Sequence, residues 1–191
     1  MTFDRSLYEL LRQLKEADYN IQDVEYLKRT FQDYYLQPGQ CLYVVHYPLN
    51  EIIIAKGFDS FLGYRKSITD PNFVLDIIHP EDLPKVAKIS AAAVKMVTNE
   101  RDDLLIDYRL SVEYRIRKKN GSYIRILRQT SILKHDRRLV ATFSLISKTV
   151  KQSNNLPVTW KTDGELSTKF SDIINGSSEN GTQSRSTRFM Q

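Results

Sequence analysis

The side chains best suited to chemistry in this chain are three histidines and a single cysteine. A metal site in a protein needs several such ligands at characteristic spacings. His46 falls in a strand-like segment and His135 in a turn, and neither is at ligand spacing from His79. A lone cysteine, Cys41, forms neither an intramolecular disulfide nor a multi-cysteine metal site. We therefore predict no metal site, and we expect Cys41 to be a small core residue.

The segment His79-Pro80-Glu81-Asp82 invites an acid–base or ligand-binding interpretation. A proline followed by two acids also suits the first turn of a helix, where proline loses no hydrogen bond and acidic side chains meet the positive end of the dipole. We favour that structural interpretation. The chain has only seven glycines and shows no Gly-x-Ser-x-Gly elbow, phosphate-binding glycine loop or paired-carboxylate helix motif. We predict that the protein is not an enzyme.

A group of basic side chains surrounds the Asn120-Gly121 dipeptide. These residues are Arg115, Arg117, Lys118, Lys119, Arg125 and Arg128. Such a group could contact phosphates, but its alternation with Glu113 favours a solvated sheet face. The balance of 28 Lys and Arg against 23 Asp and Glu gives a net charge of only +5, which is far from the dense basic stripe of a dedicated nucleic-acid binder. Contact with DNA through this hairpin is an alternative interpretation.

Two amphipathic helices are predicted before these residues, near positions 4–17 and 21–36, because apolar side chains recur at helical spacing. Their apolar stripes consist of Leu7, Leu10, Leu11 and Leu14 in the first helix, and Val24, Leu27 and Phe31 in the second. A stripe of this kind packs either on its own domain or against a second copy. We take these residues as candidates for a dimer contact, and we expect a homodimer.

The rest of the chain predicts an antiparallel sheet interrupted by helices. Asn120-Gly121 is a strong hairpin signal because both residues tolerate a positive φ. The layout predicts an α+β fold in which a five-stranded antiparallel sheet carries a helical crossover on one face and is preceded by the two N-terminal helices. The predicted strands are 41–47, 51–55, 107–118, 122–133 and 138–148, with the crossover at 58–99.

The chain divides into three regions by composition. We expect a helical extension at 1–40, one domain at 41–148 and a C-terminal segment at 149–191. In that last segment, the sequences on either side of Asp163-Gly164 predict a second small hairpin. After about residue 171 the composition becomes polar and rich in Ser and Asn, which predicts disorder.

Three motifs in register carry a resemblance to a known family. Phe58–Tyr64, Ile78–Pro84 and Tyr114–Arg125 are similar, in order and spacing, to PAS domains of the third PAS-fold subgroup. The likeness extends to about Phe170. The N-terminal helices and the segment Trp160–Glu165 resemble one branch in particular, the Bacteroidetes transcriptional regulators in which a PAS domain precedes a LuxR-type helix-turn-helix. The resemblance implies a PAS fold and a sensory input domain for a transcriptional regulator.

The sequence departs from that branch and from the better-defined PAS sensors. After Phe170 no pair of amphipathic helices is predicted, so a helix-turn-helix and direct DNA binding are not expected. A haem-binding PAS domain needs an axial ligand, and the predicted helix at 83–97 has no histidine. Flavin photochemistry in related domains uses a cysteine in an Asn-Cys-Arg-Phe-type helix, whereas Cys41 begins a strand. We expect neither haem nor flavin as a cofactor.

A concave apolar sheet covered by short helices can hold an unknown small ligand. The candidates for its pocket are Tyr43, Ile53, Phe58, Phe61, Leu62, Phe73, Ile77, Tyr114, Ile116 and Phe143. A ligand or partner there would change helix packing and dimer geometry. The alternatives are a filled interior, as in an interaction module, and a small enzyme that uses the same cavity. The sequence contains no uninterrupted apolar stretch of the kind found in a signal peptide or a membrane span. We therefore expect no membrane contact and a cytoplasmic protein.

Overall fold

The structure of the chain, a computed structural model, describes residues 21–65, 67–99, 108–135, 138–149, 156–163 and 166–179. The first predicted helix, with Leu7, Leu10, Leu11 and Leu14, lies outside these ranges. The helices are α1 (Ile21–Gln32), α2 (Phe58–Leu62), α3 (Asn72–Asp76), α4 (Leu83–Asn99) and α5 (Ser167–Glu179). The strands are β1 (Gln40–His46), β2 (Glu51–Lys56), β3 (Arg109–Arg117), β4 (Tyr123–His135), β5 (Arg138–Lys148) and β6 (Thr159–Asp163).

The strands form one antiparallel sheet in the order β2-β1-β5-β4-β3-β6. The predicted hairpin at Asn120-Gly121 joins β3 to β4, and Gly121 has a φ of 86° there. The helices α2, α3 and α4 connect β2 to β3, as the predicted crossover requires. Within this crossover, Ile78 forms an isolated antiparallel bridge with Ile116 of β3.

The two faces of the sheet are covered by different helices. On β3, alternate residues point toward the crossover helices, and Val112, Tyr114 and Ile116 are buried there. We call this side the cavity face. On the opposite side, the outer face, Leu27 of α1 packs with Val44 and Ala141 of the sheet. In α1, the apolar stripe that was predicted as a dimer contact therefore packs against the chain's own sheet.

The helix α1 is shorter than predicted, since it ends at Gln32 and not near residue 36. Phe31 stacks on Phe143 with ring centroids 4.7 Å apart, and Tyr34 lies 5.4 Å from the same ring. The aromatic packing at the end of α1 therefore involves residues on both sides of the helix terminus.

A sixth strand corrects the prediction of five. The strand β6 pairs with β3 through five residues, and so covers the backbone groups that an edge strand leaves unpaired. The predicted strand after Asp163 is also wrong, because α5 occupies Ser167–Glu179. The disorder predicted after about residue 171 is wrong as far as Glu179, and the rest of that segment lies outside the described residues. Phe170 of α5 is fully buried and contacts Trp160 of β6 with ring centroids 5.2 Å apart. The packed domain therefore continues past residue 148.

Gly57 ends β2 in a conformation that other residues avoid, with a φ of 78°. A Cβ at this position would lie 2.6 Å from the Gln40 carbonyl oxygen and 2.8 Å from Leu36 Cδ1. We expect Gly57→Ala to lower the free energy of unfolding by about 2 kcal/mol, from left-handed strain and the clash together. Gly121→Ala is the matched control, because its φ is 86° and nothing lies within 4 Å of its Cβ position. Strain alone should cost about 1 kcal/mol there. Equal losses in urea unfolding would contradict the clash at Gly57.

Candidate functional site

A cavity of about 130 Å³ lies between the cavity face of the sheet and the helices α3 and α4. One part of its wall is apolar and comes mainly from the helices, and the sheet supplies hydroxyl groups and one cation. The lining residues are Tyr43, Val45, Tyr47, Pro71, Val74, Leu75, Ser90, Ala93, Val94, Val97, Tyr108, Leu110, Arg128, Thr130, Ile132, Thr142 and Ser144.

The cation in this wall is Arg128, which projects from β4 and is 6% exposed. One terminal nitrogen, Nη2, donates a hydrogen bond of 2.9 Å to Ser90 Oγ on α4. The guanidinium carbon lies 5.4 Å from the centre of the Tyr114 ring. Its Nε atom is buried and has no hydrogen-bond partner among the described residues. A guanidinium stays charged at any physiological pH, so the wall carries a fixed positive charge.

Hydroxyl groups surround this cation. Tyr47 and Thr142 are joined by a hydrogen bond of 3.3 Å, and Thr130 and Ser144 by one of 3.0 Å. The Tyr108 hydroxyl is buried and has no partner within the described ranges. The same holds for the hydroxyl of Tyr114, which is not one of the lining residues. Burial raises the pKa of Tyr47, Tyr108 and Tyr114 above the ordinary value, so these phenols are neutral and can donate hydrogen bonds.

Of the ten residues predicted for the pocket, the structure places one, Tyr43, in the cavity wall. Seven others belong to the main core cluster or pack against it, and they do not line the cavity. These are Phe58, Phe61, Leu62, Phe73, Ile77, Tyr114 and Ile116. Ile53 and Phe143 lie on the outer face in the cluster around Leu27. Strand alternation explains Phe143, because its neighbours Thr142 and Ser144 are the ones that line the cavity.

The sequence prediction missed Arg128 as a cavity residue, although a signal was present. In β4, positions 124, 126, 128, 130 and 132 share a face, and Ile126 is fully buried on the cavity side. This alternation places Arg128 inside and Arg125 outside. The two arginines were predicted as parts of one basic surface, but residues three apart on a strand point in opposite directions.

Arg125 holds the segment before β6 against the outer face. Its side chain is 1% exposed, and its Nη1 and Nη2 atoms donate to the carbonyls of Leu156 and Pro157 at 2.7 and 2.8 Å. Its Nε atom donates to Glu113 at 3.3 Å. A second cation, Lys85 of α4, donates to the carbonyl of Val158 at 2.8 Å. Side chains from β4 and α4 therefore fix the chain that leads into β6.

The remaining predicted basic residues divide between structural and exposed roles. Arg115 is occupied by Asp82, at 2.7 Å from Nη2 to Oδ1, and by Glu81 at 2.9 Å. Arg117 and Lys119 are exposed beside the hairpin turn, and Lys118 is half-buried. The solvated basic surface is therefore smaller than the sequence indicated.

The His79–Asp82 segment forms the turn that opens α4, because the Leu83 N–H donates to the His79 carbonyl at 3.0 Å, which is the spacing of a helical turn. His79 accepts a hydrogen bond from the Glu81 N–H at its Nδ1 atom, and its ring packs edge-on against Tyr123. Asp82, 4% exposed, accepts a bond from the Arg115 backbone N–H at 2.8 Å as well as from its guanidinium. The segment ties α4 to β3, which agrees with the structural interpretation.

Asp82 should make stability depend on pH. Burial acts to raise its pKa, but the hydrogen bonds and charge of Arg115 outweigh it and hold the pKa below the usual value. The unfolded carboxyl titrates near ~3.9, so this contribution is complete above about pH 5 and is lost as the pH falls through the lower native pKa. We expect Asp82→Asn to reduce the free energy of unfolding by about 1.5 kcal/mol at pH 7. Urea unfolding should show this difference shrinking at pH 3. A difference of the same size at both pH values would contradict the ion pair.

Cys41 is fully buried at the start of β1, and burial raises the pKa of its thiol far above the usual value. It packs in the core behind the cavity wall. Within the described ranges, no three His, Cys, Asp or Glu side chains come together in a way that would hold a metal ion. None of the helices in the same ranges is long and apolar enough to cross a membrane.

Residues 51–142 match a protein family described as PAS fold. No curated protein matches the chain significantly. The matched segment begins at β2 and ends within β5, so it contains the crossover helices, β3 and β4, whereas β1, which also lines the cavity, precedes it.

Among solved structures, the chain resembles the N-terminal domain of a diguanylate cyclase with a PAS/PAC sensor from Marinobacter aquaeolei. That match has 16% identity and a TM-score of 0.45, and covers 57% of this chain and 94% of the other. A sensory box histidine kinase/response regulator from Burkholderia thailandensis matches at 16% identity and a TM-score of 0.43, over 82% of this chain and 95% of the other. An RNA-binding light-oxygen-voltage receptor matches at 14% identity and a TM-score of 0.43, over 77% of this chain and 36% of the other. With the family match and the six-stranded antiparallel sheet taken together, the chain has a PAS fold.

Proposed function

We propose that this protein is a non-enzymatic sensory module in which a small ligand occupies the central cavity and changes the packing of β6 and α5. The observation that carries this proposal is the position of Tyr108. Its side chain lines the cavity, and its ring lies 6.5 Å from the ring of Phe170 in α5. A ligand that displaces Tyr108 therefore acts on α5 through one aromatic contact.

The contact continues from α5 into the sheet. Phe170 packs edge-on against Trp160, with ring centroids 5.2 Å apart and an interplanar angle of 85°. Trp160 lies opposite Val112, a fully buried residue of β3. Because this cluster links α5 to β6, a change at Tyr108 acts on both elements.

The cavity wall supports a binding role over an enzymatic one. Acyl transfer, hydrolysis and isomerisation use a general base or a nucleophile activated by one. The described lining residues include serine, threonine and tyrosine hydroxyls, but no carboxylate, imidazole or thiol. The volume of about 130 Å³ is also well below the ~300–1,000 Å³ of sites for drug-sized ligands. This supports a ligand smaller than haem or flavin.

We propose further that the module is the input part of a transcriptional regulator, which rests on the resemblance carried by its three motifs. Contact with DNA through the hairpin has less support, because Arg115, Arg125 and Arg128 are engaged inside the fold. The predicted homodimer stays a prediction. Of its candidates, Val24 and Leu27 are 6% and 4% exposed and are therefore used within the chain, whereas Leu7, Leu10, Leu11 and Leu14 lie outside the described residues.

Binding in the cavity can be tested with benzyl alcohol, a neutral probe of about the size that a ~150 Å³ apolar cavity accepts. We expect it to shift the amide NMR signals of Val94 and Tyr108 in the wild-type protein. Ala93→Leu places a larger side chain in the wall and should abolish these shifts. Ala91→Leu, on the same helix but outside the wall, is the matched control and should keep them. Identical shifts in both variants would refute the cavity as the binding site.

A further inference from the structure

The cavity carries a positive charge that no carboxylate of the described residues neutralises. None of the ion pairs between described residues involves Arg128, whereas Arg115 and Arg125 both have carboxylate partners. Burying a charge is unfavourable unless an opposite charge pairs with it. Arg128 is nevertheless buried and has an unpartnered Nε atom in the wall of an open space.

Neutral donors lie around this charge. The Tyr108 hydroxyl faces no acceptor among the described residues, and Tyr47 and Thr142 are linked by a hydrogen bond as long as 3.3 Å. Phenols held neutral by burial donate hydrogen bonds, and a carboxylate accepts several. One guanidinium with hydroxyl donors is therefore a binding environment for an anion.

The charge of that anion can be inferred from the charges of the residues that line the cavity. Arg128 is the single cation among the described lining residues, and most of the others are apolar or hydroxyl-bearing. A phosphate dianion would leave a net negative charge in this space. A carboxylate balances Arg128 one to one, and the planar guanidinium matches its two oxygens.

We propose that the ligand of this cavity is a small organic monocarboxylate whose charged group binds Arg128 and whose apolar part lies against Val74, Val94 and Val97. The inference rests on the proposed sensory function, since it names the chemical class of the ligand at the same site. The cavity volume limits the size of the ligand. A cavity of about 150 Å³ accepts benzene, and this one has about 130 Å³. Benzoate and hexanoate are the probes that follow from these two properties.

The test compares probes that share a shape and differ in charge. We expect benzoate to bind the wild-type protein at least tenfold more tightly than benzyl alcohol, with benzylammonium showing no binding, as measured by NMR titration. Ala93→Leu should abolish the benzoate shifts of the cavity residues, which separates them from binding at the exposed Arg117 and Lys119.

Arg128→Met keeps the length of the side chain and removes its charge. In this variant we expect benzoate affinity to fall at least tenfold while benzyl alcohol affinity is kept or increased. Arg125→Met, which removes the buried arginine of the outer face, should leave benzoate affinity unchanged in its folded fraction. If Arg128→Met does not fold, the wild-type preference between the two probes still decides the question.

Three results would overturn the inference. The first is equal affinity of the wild-type protein for benzyl alcohol and benzoate, the second is undiminished benzoate binding by Arg128→Met, and the third is that neither benzoate nor hexanoate enters the cavity. In the first two cases, and in the third if benzyl alcohol still binds there, the cavity remains a binding site and the sensory proposal stands without the carboxylate. If no probe of either charge enters, the sensory proposal fails with it.

Discussion

Replacing Phe170 by alanine should lower the free energy of unfolding by about 4 kcal/mol, the cost expected for truncating a large buried aromatic residue. The Phe170 side chain is fully buried and lies between Tyr108 and Trp160. Its loss leaves a cavity under α5, the helix that packs on α4 at the edge of the domain. Urea unfolding monitored by circular dichroism would measure the loss.

Phe170→Leu is the control for this prediction. Leucine keeps most of the apolar volume, so this variant should cost less than about 1.5 kcal/mol. If Phe170→Ala unfolded at the same urea concentration as the wild type, α5 would not be part of the packed domain. The assignment of residues 166–179 to the fold would then be wrong.

The second large effect is expected at Arg125. We expect Arg125→Met to lower the free energy of unfolding by about 3 kcal/mol, because the Leu156 and Pro157 carbonyls lose their charged donors and Glu113 loses its partner. Methionine retains the apolar length of the side chain, so the loss reports the hydrogen bonds. The measurement is again urea unfolding at pH 7.

Arg117→Met is the matched control for Arg125. Arg117 also lies on the hairpin, but it is exposed and makes a weaker contact of 3.3 Å to the Asp76 carbonyl. Its replacement should change stability by less than about 0.5 kcal/mol. Losses of similar size in the two variants would show that Arg125 does not hold the β6 segment.

The main sheet was predictable from the sequence because its signals are local. Alternation in Val112-Glu113-Tyr114 and the Asn120-Gly121 turn predicted β3 and β4. Each predicted strand end lies within two residues of the observed one. The crossover was predicted by its prolines and its alanine-rich run. These signals depend on the residues of the element itself, and no distant contact overrides them.

The C-terminal elements were not predictable in the same way. The segment at 166–170 follows Asp163-Gly164, which is typical of a hairpin turn, but the helix there is stabilised by burying Leu166 and Phe170 against distant parts of the chain. The strand β6 likewise depends on the free edge of β3. At α5, tertiary contacts overrode local preference, whereas β6 agrees with the strand predicted before Asp163-Gly164.

Predicting the cavity wall required knowing which face of the sheet each residue occupies. Aromatic and branched residues were predicted to line it because they are apolar, and most of them fill the core beside it. The polar residue Arg128 was assigned to the surface because of its charge, although strand alternation placed it inside. A charged residue at an inward position is a sign of a binding site that composition alone does not give.

The coupling between the cavity and α5 is the central claim, and hydrogen exchange tests it most directly. Amide exchange in Ser167–Glu179 should be compared in the wild-type protein with and without saturating benzyl alcohol, and in Tyr108→Leu at the same occupancy. We predict that occupancy changes the exchange rates of α5 several-fold in the wild type and much less in Tyr108→Leu. Unchanged exchange in α5 of the wild-type protein, with the cavity occupied, would contradict the account.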